Sequence, residues 1–116
     1  MTSLAYAMNA EAEPSLDFGD RVRIRAAPQT VEAGIAGRVG QIYGTTTPSA
    51  GYVTDPIIGM LRSDVALNVR LDASDISVWI APDLLELIDR APGTTIGIGD
   101  ASFVRQPDGL WERSDR

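Results

Sequence analysis

The sequence predicts an all-β domain, and three observations carry that prediction. Apolar and polar residues alternate through RVRIR (Arg21–Arg25), DVALNVRL (Asp64–Leu71) and ISVWIA (Ile76–Ala81), the period-two pattern of strands with one buried face. Eleven glycines and seven prolines interrupt the 116 residues too often for long helices. The turn-forming DASD (Asp72–Asp75) and PDG (Pro107–Gly109) stand between alternating runs. With 44% hydrophobic and 22% charged residues, the chain has the composition of one ordinary globular domain.

Taken in order, residues 1–15 have no sustained periodicity and are expected to form a loose tail. The first strand buries Val22 and Ile24 and ends before Pro28. PQTVEAG reads as a turn-rich stretch, after which IAGRVGQIYG resumes alternation through Val39 and Ile42. Gly34, Gly37, Gly40 and Gly44 suit a sharply bent strand. Residues 45–64 are broken by proline and glycine, yet Tyr52, Val53, Ile57, Ile58, Met60 and Leu61 are too apolar for a solvated linker. A folded insertion containing a short strand or helical turn is expected there. Val65, Leu67, Val69 and Leu71 line one face of the next strand. Ile76, Val78 and Ile80 line the following one, with Trp79 on the opposite face. Pro82-Asp83 starts a tight turn into a last short strand over Glu86–Ile88, or else a short helix to Arg90. Residues 91–116 form an extension in which Phe103–Arg105 and Leu110–Glu112 flank the Pro-Asp-Gly turn as a β-hairpin. Such a ribbon is marginal alone, so it should dock on the rest of the domain or on a partner.

The run Gly19-Asp20-Arg21-Val22-Arg23-Ile24, followed by Gly34-Ile35-Ala36-Gly37-Arg38-Val39-Gly40-Gln41-Ile42, resembles the opening of a small SH3-like barrel with a KOW-like start. VWIAPDLLELID (Val78–Asp89) resembles the close of such barrels, where a short turn leads to a final strand. The resemblance covers about residues 16–89 and extends to the barrel region of nitrile hydratase β subunits and to translation- and transcription-factor barrels. It implies a small SH3-like barrel over 16–90 with an insertion at 45–64 and a C-terminal hairpin extension. It also implies a binding role towards RNA or protein. No catalytic residue carries over from it.

The chain holds ten arginines and no lysine, histidine or cysteine. Imidazole triads, thiolate nucleophiles, Schiff bases and Cys- or His-type metal sites are therefore excluded. Ser49, Ser63, Ser102 and Thr45–Thr47 offer hydroxyls without a base to activate them. Asp17 with Asp20, and Asp72 with Asp75, read as turn carboxylates rather than acid–base pairs, because neither fits an alternating calcium loop. No catalytic residue, cofactor or metal is expected, and the reading is of a non-enzyme. The net charge of −6 disfavours general nucleic-acid binding. No apolar run approaches a membrane span, and MTSLAYAMNAEAE lacks the basic start and apolar centre of a secretory signal, so the cytoplasm is the expected compartment.

The residues chosen for partner binding are Arg21, Arg23, Arg25, Arg38, Tyr43, Tyr52, Trp79 and Trp111. The first three fall at i, i+2 and i+4, so their guanidiniums leave one strand face, suited to phosphates or carboxylates or to pairing with Asp72, Asp75 or Glu86. The aromatics are typical interface anchors. Trp79 could instead be covered by the tail hairpin or by the 45–64 insertion. The expected function is a non-catalytic binding or accessory module. It would mediate protein–protein interaction or self-association. The alternatives are a KOW-like nucleic-acid module and a non-catalytic part of a multi-subunit enzyme.

Overall fold

The computed structural model of the protein describes residues 15–114, so the tail expected over 1–15 lies, save for Ser15, outside the described residues. The described residues form an all-β domain built of two sheets. The first contains β1 (Arg21–Ile24), β2 (Val39–Thr46), β3 (Ile57–Ile58), β4 (Ala66–Leu71), β5 (Ser77–Ile80) and β6 (Leu85–Asp89). Their order is β3-β5-β4-β2-β1-β6, and the end strands β3 and β6 do not pair, so the sheet does not close into a barrel. β1, β2, β4 and β5 form an antiparallel meander, and β6 returns to the outer side of β1.

The alternation seen in the sequence is what buries this sheet. Val22, Ile24, Ile42, Leu67, Val69, Leu71, Ile80 and Leu85 form one cluster, each at most 5% exposed. Full burial of each such side chain contributes about 1.5–3 kcal/mol. Ile76 departs from the expected face: the fifth strand begins only at Ser77, leaving Ile76 exposed.

Two connections differ from the sequence expectation. PQTVEAG is not merely turn-rich, because Pro28–Glu32 forms a one-turn helix, α1. The Thr30 hydroxyl accepts the Ala27 amide at 2.9 Å and donates to the Arg25 carbonyl at 2.7 Å, tying the turn to the end of β1. Thr30→Val keeps the shape but removes both of these hydrogen bonds. It should lower the unfolding free energy by about 1–3 kcal/mol in urea titration. Gly34 and Gly37 belong to the turns leading into β2, so only Gly40 and Gly44 of the four spaced glycines lie in the strand.

The 45–64 insertion holds a single 3-10 turn, Pro48–Ala50, and the two-residue β3, which pairs in parallel with β5 through Ile57–Trp79 and Ile58–Ile80. Another 3-10 turn, Pro82–Leu84, precedes β6, and the alternative helix to Arg90 does not form.

Beyond β6 the expected hairpin is one part of a larger unit. β7 (Thr95–Ile98), β8 (Ala101–Arg105) and β9 (Trp111–Arg113) make an antiparallel three-stranded sheet. β7 reads as Thr-Ile-Gly-Ile, too short and too glycine-rich to announce itself by periodicity. This second sheet docks through Arg105, which is 2% exposed and reaches the fully buried Asp20.

Candidate functional site: an aromatic face across two sheets

The docking of the second sheet builds an exposed aromatic line on the outer face of the first. A register shift between Ile42 and Gly44 leaves Tyr43 unpaired on β2 as a bulge, which re-aims its ring while Ile42 stays in the core. Phe18 lies 6.2 Å from Tyr43 and 5.9 Å from Trp111, centroid to centroid. Each spacing suits tilted aromatic packing. The line ends on cations at both sides. The Arg70 guanidinium lies 5.8 Å from the Tyr43 ring centroid, and the Arg105 guanidinium lies 5.2 Å from that of Trp111.

Beside this line is a cleft of about 320 Å³ between the two sheets, walled by Phe18 and Tyr43 on one side and Thr94–Ile96 on the other. Gln41 forms its floor and holds the sheets together there. Its side-chain amide donates to the Gly19 carbonyl at 2.9 Å and to the Thr94 hydroxyl at 3.2 Å. Gln41 stands in cross-strand register with Arg21 on β1 and Arg70 on β4. Its two in-register neighbours are thus arginines, each close to an acid. Arg21 meets Asp72 at 2.9 Å, and Arg70 meets Asp75 at 3.8 Å with both side chains at least half exposed.

A second, larger cleft of about 690 Å³ opens over the core side chains Ile42, Leu67 and Leu85 and the half-buried Leu87, with Arg25 and Arg62 among its lining residues. Arg62 is paired with Asp83 at 2.6 Å.

The eight residues chosen from the sequence are therefore divided. Tyr43 and Trp111 join one face, bridged by Phe18. Arg21, Arg23 and Arg25 do not act as one row: Arg21 turns to Asp72, Arg23 is exposed, and Arg25 lies past the end of β1 beside the larger cleft. Arg38 is half-buried just before β2, and Tyr52 is 88% exposed in the insertion loop. Trp79 is half-buried on β5 next to Ile57 of the insertion, whereas the C-terminal sheet docks at Phe18–Asp20 instead.

Sequence reasoning missed Phe18, Gln41 and Arg70. The Gly-Asp turn signalled Phe18's neighbourhood, but only strand register brings Gln41 and Arg70 together. Asp17 and Asp20 do make a turn, since the Asp17 amide donates to Asp20 Oδ2 at 2.8 Å. Asp20 has in addition a buried ion pair that no local pattern announces. Among the described residues no group of acids is placed to hold a metal ion, and no helix is long and apolar enough to cross a membrane. No protein-family model, curated protein or solved structure matches the chain.

Proposed function

We propose that the protein is a non-catalytic interaction module of small SH3-like type that docks a partner protein on the Phe18–Tyr43–Trp111 face. One observation carries this reading: an aromatic line spans both sheets and leaves its Phe18 and Tyr43 rings exposed, with a cleft beside it. Core formation alone would not select that arrangement, because Phe18 and Tyr43 are 37% and 46% exposed. Aromatics with a neighbouring arginine are the usual anchors of protein interfaces. The SH3-like part of the reading is supported by the meander of β1, β2, β4 and β5, the 3-10 turn at Pro82–Leu84 and the return of β6 to β1. A nucleic-acid role is less favoured, since Asp72 and Asp75 sit beside the arginines of this face and the whole chain is acidic.

A photo-crosslinking amino acid placed at Tyr43 in the full chain, compared with the same group at exposed Val31, tests the reading in the native cell. A discrete protein adduct from position 43 alone is expected. Binding of that purified partner should then weaken about 10-fold or more in Tyr43→Ala and change little with salt. Adducts to RNA, with affinity falling steeply as salt rises, would transfer the reading to the nucleic-acid module. Equal adducts from both positions would remove the aromatic face from consideration.

A further inference from the structure

The free sheet edges are not alike. β6 carries Glu86 and Asp89 along its edge, β9 carries Glu112 and Arg113, and β3 is two residues held between Pro56 and Gly59. These are the devices that normally discourage a further strand. β7 has none of them: Thr95-Ile96-Gly97-Ile98 is uncharged, free of proline, and pairs with β8 without a register shift.

Its backbone polarity can be assigned from the ladder. The Arg105 amide donates to the Thr94 carbonyl at 2.8 Å, and alternation then turns Ile96 and Ile98 toward their β8 partners Phe103 and Ala101. The amides and carbonyls of Thr95 and Gly97 therefore point away from β8, at the open edge. Ile96 sits on the face that lines the cleft with Phe18 and Tyr43, and Ile98, on the same face, is 62% exposed.

We propose that β7 takes up an extended segment of a partner protein as a fourth strand of the second sheet. This rests on the interaction-module reading and specifies its ligand class. Main-chain hydrogen bonds would form to Thr95 and Gly97. Alternate side chains of the added strand share the face of Ile96 and enter the cleft beside Phe18 and Tyr43, which selects apolar residues at every second position. Past Tyr43 the exposed Arg70 guanidinium, only loosely paired with Asp75, selects a carboxylate at the Tyr43 end of the segment.

The test is selection of random heptapeptides displayed on phage against the immobilised full chain. The winning peptide is then synthesised with a fluorescein label and titrated by anisotropy. Expected winners have apolar residues at alternate positions and one Asp or Glu. Affinity should drop about 10-fold or more, the loss of two backbone hydrogen bonds, on N-methylating the peptide's edge-facing amides. Thr95→Pro should weaken binding in the same direction but less, about 3-fold or more for one lost hydrogen bond, since it removes an outward amide at the first strand position, where proline is tolerated. N-methylation keeps the test decisive should that variant fold poorly.

Peptides weakened by Tyr43→Ala but indifferent to Thr95→Pro and to N-methylation would overturn strand addition and leave the aromatic-face reading standing. Peptides indifferent to all of these changes would overturn both. Failure to enrich any peptide would overturn strand addition. Dimerisation of the chain alone, abolished by Thr95→Pro, would also overturn the proposal by showing a second copy as the occupant.

Discussion

Arg105→Met is expected to lower the unfolding free energy by about 3–5 kcal/mol and to loosen the whole C-terminal sheet. Methionine preserves most of the buried volume, so the loss isolates the guanidinium. That group donates from Nε to the Gly109 carbonyl at 2.6 Å, from Nη1 to the Phe18 carbonyl at 2.8 Å and from Nη2 to Asp20 Oδ1 at 3.0 Å. Asp20 is fully buried, and its second oxygen takes the Asp17 amide and Arg90 Nη1, the latter at 2.6 Å. Among the described residues every buried side-chain polar atom has a partner. Removing Arg105 strips one oxygen of a buried carboxylate and two carbonyls of theirs, and desolvation makes such orphans expensive. Arg90 remains to hold Asp20, so the first sheet should survive while amides of β7–β9 exchange faster. Arg105→Lys should fall between, because an ammonium cannot span three acceptors in a fixed plane. Arg21→Met is the contrast: its pair with Asp72 is partly exposed, and its loss should stay within about 1 kcal/mol. Urea titration followed by tryptophan emission, with hydrogen exchange, separates these outcomes. A loss below about 1 kcal/mol for Arg105→Met would mean that apolar packing of Trp111 and Phe18, not the ion pair, fastens the sheet.

The same contrast explains what was legible in the sequence. β1, β4 and β5 could be read because each buries one face, and a buried face prints a period of two. The turn at Pro82 and the hairpin at Pro107–Gly109 could be read because proline and glycine fix backbone angles locally. α1 could not be read as a helix, since one turn is too short to show a period, and its holding bond comes from a single hydroxyl. β3 owes its pairing to β5 rather than to its own two residues. Tyr43 and Trp111 stood out as interface types, but the line between them exists only after Phe18 is brought under the C-terminal sheet. That step depends on Asp20 meeting Arg105, 85 residues away. The Arg21–Gln41–Arg70 row depends likewise on two strand registers, of which the local sequence contains no copy.

Gly40→Ala is the second change expected to be severe, at about 3 kcal/mol or enough to prevent folding. Gly40 is buried in central β2, paired with Val22 on one side and Leu71 on the other. A Cβ there would lie 2.4 Å from the Arg70 carbonyl oxygen, 3.0 Å from its carbon and 2.8 Å from Val69 Cγ1. Two of these three obstacles are backbone, so no rotamer change relieves them, and β2 and β4 must separate. The favourable side of a Gly→Ala change, a less disordered unfolded chain, is about 0.4–1 kcal/mol and is outweighed. Gly44→Ala tests this reasoning within the same strand. Its nearest neighbours are Asn68 Cβ at 3.6 Å and Trp79 at 3.8 Å, ordinary packing distances, so its effect should lie within about 0.5 kcal/mol. Because Tyr43 rides on β2 and Arg70 on β4, strain at Gly40 reaches the aromatic face directly. A Gly40→Ala protein that still folds should bind the selected peptide less tightly, whereas Gly44→Ala should bind it normally. Equal stability of the two variants in urea would show that the strands yield more easily than their backbone spacing implies.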